Sequence, residues 1–82
     1  MIKITVGVEG MQCPKCEKHV NDSILQEFKV KEVISSHEDN QTVIITEEDI
    51  AEADIQEIIA IAGYGVTSIK KEPYKKRFLG LF

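Results

Sequence analysis

The chain has 82 residues, 43% hydrophobic and 29% charged, with two prolines and five glycines, which is the composition of one folded domain and excludes a disordered segment. A chain this short buries only about 60–65% of its unfolded surface, so it builds one thin core and has little room for a deep enclosed active site. The formal net charge of −4 is uneven, with 5 bases and 13 acids in residues 1–69 (−8) against 5 bases and 1 acid in residues 70–82 (+4); the acidic body argues against nucleic-acid binding and suits a basic partner surface.

Ile2, Ile4, Val6 and Val8 alternate with Lys3, Thr5, Gly7 and Glu9, the period of a half-buried strand. Such a start is not a secretory signal. No window approaches the roughly 20 apolar residues of a membrane span, so an integral membrane protein is not expected. The expected compartment is the cytoplasm, where thiols stay reduced. Gly10 breaks the strand. From Pro14, well suited to a helix start, the pattern turns helical through Cys16, Val20, Ile24, Leu25 and Phe28. A second strand is predicted over Val30 to His37, a turn at Glu38-Asp39-Asn40, and a short β-branched strand from Thr42 to Thr46. Residues 47–62 open with an acidic run and continue with Ile55, Ile58, Ile59 and Ala62, an amphipathic helix whose early acids favour its dipole. Gly63 stops it. A last strand is predicted from Tyr64 to Lys71, ended by Pro73.

The order strand, helix, strand, strand, helix, strand reads as an α+β, ferredoxin-like βαββαβ sandwich: a four-stranded antiparallel sheet with two helices on one face. The domain is expected to span residues 1–72. Residues 73–82 form a basic and apolar C-terminal tail, which is expected to contact a membrane surface, a partner or the domain itself, or to be a floppy terminus. The topology places three loops at one end of the sheet: Gly10 to Pro14, the hairpin near Asp39, and the Gly63–Tyr64 turn.

The first of these loops carries the only two cysteines, in Gly10-Met11-Gln12-Cys13-Pro14-Lys15-Cys16. Cysteines three residues apart close too small a loop to stabilise a fold as a disulfide, so their purpose is chemical. Cys13 falls in the loop and Cys16 in the first helical turn, close enough to grip one ion. The helix N-terminus and Lys15 favour the thiolate, the form that binds metal; Glu17 opposes it. Two sulfurs are too few for structural zinc, which takes four ligands. They suit Cu(I), and Hg(II) would fit as well.

The Gly-Met-x-Cys-x-x-Cys segment after a first strand, within a βαββαβ pattern and with the later Gly63-Tyr64 pair, resembles the heavy-metal-associated domain family, in particular its bacterial copper chaperones. The resemblance covers residues 2–71. It implies a non-enzymatic metal carrier with Cys13 and Cys16 as ligands, Cu(I) as cargo with Hg(II) or Zn(II) as alternatives, and the metal-binding domain of a copper-transporting P-type ATPase as partner. A metal-bridged homodimer, a mercury-binding protein and a metal-sensing module belong to the same range. Met11 matches the methionine that packs beneath the loop without binding metal, and Tyr64 the residue that shields it. Gln12 stands where zinc-exporting relatives carry Asp, which favours copper. The tail departs from the family pattern.

Other residues have plainer readings. His19 shares a helix face with Cys16; a third ligand and an exposed helix residue are its two readings, the latter preferred. His37 is read as an ordinary surface histidine of the hairpin. The rival class is a glutaredoxin-like thiol oxidoreductase, which also uses Cys-Pro-x-Cys at a helix start. It needs a cis-proline facing the cysteines, and no proline lies between Pro14 and Pro73.

Overall fold

A computed structural model describes residues 1–74, and the 75–82 part of the predicted tail lies outside the described residues. The alternation read at the start does form a strand, β1 (Ile2–Glu9). It is followed by α1 (Pro14–Glu27), β2 (Glu32–Ser36), β3 (Gln41–Thr46), α2 (Glu52–Ile61) and β4 (Gly65–Pro73). The sheet order is β2-β3-β1-β4, with every neighbouring pair antiparallel. β1 and β2 run the same way but are separated by β3, which is the split βαβ arrangement of a ferredoxin-like sandwich. That topology differs from the mixed sheet of a thiol oxidoreductase, and the described residues contain no cis peptide bond.

Burial follows the two periods. Ile4, Val6 and Val8 of β1 and Ile44 of β3 meet Val20 and Ile24 of α1 and Ile55 and Ile59 of α2, with Met11 and Ile50 closing the two ends of the core. Leu25, predicted to share the apolar stripe of α1, is instead 50% exposed. The true stripe steps strictly by four through Cys16, Val20, Ile24 and Phe28, and Leu25 lies one residue off it. Ile34 of β2 faces away from the helices and is 53% exposed. Buried hydroxyls are paired: Ser35 Oγ donates to Asn21 Oδ1 at 2.6 Å and lies 2.9 Å from Thr42 Oγ1, joining α1 to β2 and β3.

Three element boundaries moved from their predicted places. β2 starts at Glu32 because Val30 turns inward against the core before pairing begins. The acidic run does not open the second helix. Thr46 Oγ1 donates to the Glu48 carbonyl and accepts from its N–H, turning the chain, and Asp49 pairs with Lys71 Nζ at 2.8 Å. α2 therefore begins only at Glu52. β4 runs past Lys71 to Pro73, since Glu72 and Pro73 still face Lys3 and Ile2. Tyr74 N–H then bonds the Met1 carbonyl at 2.9 Å. A register shift between Gly7 and Val8 marks a bulge against β4 near Thr67.

Candidate metal centre

The end of β1 dictates where the cysteines sit. Gly10 has φ +103°, a left-handed conformation that costs glycine little. A Cβ there would lie 3.2 Å from Tyr64 Cδ1, so a side chain would also press on the Tyr64 ring. The turn sends Met11 into the core, where it is 2% exposed. This is the plug the family resemblance implies. Cys13 is the N-cap of α1, in extended conformation, with Pro14 opening the first turn. Its carbonyl accepts from the N–H of Cys16 at 3.0 Å. Both thiols are free and half-buried, and their sulfurs lie 3.3 Å apart.

That separation identifies the state of the pair. It is far longer than the roughly 2.05 Å of a disulfide. It is shorter than the about 4.6 Å that two collinear metal–sulfur bonds of about 2.3 Å would span. The sulfurs share a hydrogen and must part by about 1 Å to clasp an ion end-on. Cys13 belongs to the loop and Cys16 to the helix, so such an opening bends only the loop.

The Cys16 thiol is lowered from 9.0 to about 7. The main cause is a hydrogen bond from the Gln12 backbone, followed by the Tyr64 hydroxyl and the Cys13 thiol, with burial opposing them. The same contact raises Tyr64, which stays a neutral donor beside the sulfur. A substantial thiolate fraction near neutral pH is what a soft metal or an electrophile needs.

His37 is not the ordinary surface histidine expected. Its ring Nδ1 lies 2.5 Å from Glu17 Oε2, and its backbone N–H donates to the same oxygen at 2.8 Å. Both side chains are less than one-third exposed. Glu17 is lowered and His37 raised, chiefly by these hydrogen bonds. The carboxylate expected to oppose the Cys16 thiolate is thus turned toward the β2–β3 hairpin and clamps it to the start of α1. The pairing spans twenty residues of chain and left one signal in the sequence, an acid beside Cys16 and a histidine in a hairpin at the same end.

His19 turns toward Tyr64: the hydroxyl lies 3.5 Å from His19 Nδ1, and the rings meet edge-on at 5.8 Å. Among the described residues no group of three or more His, Cys, Asp or Glu side chains converges to hold an ion. His19 is exposed on α1. No helix of the described residues is long and apolar enough to cross a membrane.

No family model and no curated protein sequence matches the chain. Solved structures do. A copper-binding domain from HMA7, a P-type ATPase, is 27% identical with TM-score 0.73, over 85% of this chain and 99% of that one. The CopZ metallochaperone is 24% identical with TM-score 0.70, over 79% and 98%. The yeast copper transporter domain Ccc2a, solved in apo and Cu(I)-loaded states, is 24% identical with TM-score 0.69, over 80% and 92%.

Proposed function

We propose that this chain, a heavy-metal-associated-like domain, carries one Cu(I) ion between Cys13 Sγ and Cys16 Sγ and passes it to the metal-binding domain of a copper-transporting P-type ATPase. The carrying observation is the pair itself: two reduced sulfurs 3.3 Å apart at the exposed start of a helix, with no third ligand among the described residues. Two soft ligands satisfy Cu(I) and leave Zn(II) short of its usual four. The likeness to a copper-binding domain of a P-type ATPase supports the same choice.

Low coordination is what makes transfer possible. A thiolate of the docked partner adds to the two-coordinate ion, giving a three-sulfur intermediate. One of the two carrier sulfurs then leaves as the thiolate. The metal stays Cu(I) throughout, no electron moves, and the ion is never free. Sites of similar chemistry make the equilibrium shallow, so the carrier acts on rate. The acidic body attracts a basic receiving face in the cytoplasm, and that attraction weakens as salt shortens the screening length to about 3 Å at 1 M.

The test is Cu(I) transfer to such an ATPase domain, measured in free mixture and across a dialysis membrane. Faster transfer in the mixture, slowing with salt, is expected. Equal rates would mean that released copper carries the traffic, and the carrier function would fall.

A further inference from the structure

We propose that the groove between α1 and α2 is a docking site for the chain's own residues 75–82, whose bases and apolar side chains match it in charge and in order. The proposal does not depend on a metal at Cys13 and Cys16.

The groove holds about 350 Å³ between the end of α1 and one side of α2. Phe28 and Ile58 line it and are half-buried against the core. Asp54, Glu57, Ile58 and Ile61 follow the spacing of one helix face, beside the buried Ile55 and Ile59. Glu27 adds a third carboxylate from α1, and no base lines the groove. Among the described residues none of these three carboxylates has an ion-pair partner. Ile61 is 74% exposed, more than any other large hydrophobic side chain of the described residues. Carboxylates around an uncovered isoleucine suit a segment that is cationic and apolar together.

The chain supplies such a segment at the right place. Lys71 Nζ donates to the Ile50 carbonyl at 2.6 Å and pairs with Asp49 at 2.8 Å, so β4 ends beside the turn that opens α2. Tyr74 N–H bonds the Met1 carbonyl, which keeps the chain next to β1, a central strand. Lys75, Lys76 and Arg77 come next, then Phe78, Leu79, Leu81 and Phe82. From the start of α2 the groove presents Asp54 and Glu57 first and Ile61 last. Bases before apolar residues in the tail thus meet acids before apolar residues in the groove. Eight extended residues reach about 26 Å, well beyond the roughly 10 Å that α2 rises from Asp54 to Ile61.

Two other surfaces fit this segment less well. The sheet face away from the helices exposes Ile34 but also carries Lys3 and Lys70, which alternate with the core-facing Ile4 and Ile69. An anionic membrane attracts three bases but repels the −8 of residues 1–69. The groove is on the same chain, where a short tether gives an effective concentration on the order of millimolar.

The experiment uses the isotope-labelled full chain in solution. Nuclear Overhauser contacts are expected from the Phe78 or Phe82 ring to the Ile58 and Ile61 methyl groups. In Lys75→Glu/Lys76→Glu/Arg77→Glu the docked population should fall about tenfold through loss of three exposed ion pairs, and the contacts should fade while melting stays cooperative. Adding Glu27→Lys/Asp54→Lys/Glu57→Lys to that variant should restore them. Contacts to Ile34 instead, contacts that survive the charge reversal, or no ring–methyl contact in the free protein would each overturn the proposal. Contacts found only between labelled and unlabelled copies would overturn it in favour of a second copy as occupant. Cosedimentation with phosphatidylserine-containing vesicles, with no ring–methyl contact in the free protein, would overturn it in favour of a membrane surface.

Discussion

The two helices of this domain start in opposite ways. Neither α1, capped by Cys13, nor α2, capped by Ala51, receives a side-chain capping hydrogen bond, although such a bond usually contributes about 1 kcal/mol. At α2 the deficit is made up by neighbours. Ile50 is buried to 8% exposure, its carbonyl accepts from Lys71 Nζ at 2.6 Å, and Lys71 also holds Asp49. At α1 the cap position carries a thiol, and the first turn is steadied from a distance by Glu17 and His37. Two βαβ halves of one design have therefore been put to different uses. The second start is fastened to the core, and the first carries two free, half-buried thiols at its cap and in its first turn.

The contrast can be broken most severely at the thiols. Cys13→Ser or Cys16→Ser should weaken Cu(I) binding by at least about a thousandfold, roughly 4 kcal/mol, while both variants still melt cooperatively. Competition against a colorimetric chelator and circular dichroism check the two halves of that statement. Ile50→Ala should do the reverse. It should cost about 2–4 kcal/mol of stability in urea unfolding, and the protein that remains folded should bind Cu(I) as wild type does.

A smaller effect sharpens the comparison at the glycines. Gly10 and Gly63 both have φ near +100°, so alanine at either is strained by about 1–2 kcal/mol. Only at Gly10 does the new methyl also press on Tyr64; at Gly63 nothing lies within 4 Å. Gly10→Ala should therefore destabilise more than Gly63→Ala and should also displace the Tyr64 ring resonances, which Gly63→Ala should leave in place.

The smallest expected effect is the pH dependence of the Glu17–His37 clamp. His37 is raised from 6.5, so its contribution is complete below about 6.5 and is lost as pH rises through its higher folded value. Glu17 is lowered from 4.5, so its contribution is present above about 4.5 and is lost as pH falls through its lower folded value. The charged pair is thus strongest between those two values. Glu17→Gln should lower the melting temperature more at pH 5.5 than at pH 8.5 and should return the His37 titration, followed by NMR, toward its ordinary position. The difference at pH 8.5 should shrink without vanishing, because the His37 N–H to carboxylate bond does not depend on the imidazolium.

The features legible in the sequence were those set by near neighbours. The alternation from Ile2 to Val8 specifies a strand, the Gly10-to-Cys16 segment a turn into a helix, and the cysteine spacing two sulfurs side by side. What could not be read depends on where distant segments meet. Nothing near residue 47 says that Thr46 folds onto Glu48, or that Asp49 will find Lys71; an acidic run before an isoleucine stripe looks like a helix start until the turn and the strand partner are known. Leu25 sits at a spacing a helix face allows, and only the packing of α1 on the sheet decides that the stripe runs through Ile24. Glu17 with His37, and His19 with Tyr64, are joined by the sandwich alone, which brings the start of α1, the hairpin and the turn after α2 to one end.

The bulge at Gly7 and Val8 has a consequence for solubility. It interrupts the regular ladder between β1 and β4, and β4 also carries the exposed Lys70 and, at its end, Pro73. A twisted, cationic edge that ends in a residue without an N–H is a poor template for another strand. The opposite edge, β2, is only five residues long, too short to recruit a stable neighbour. Copies of this domain, and other sheets of the same design, can therefore collide often at high concentration and separate again without their sheets merging into a continuous ribbon.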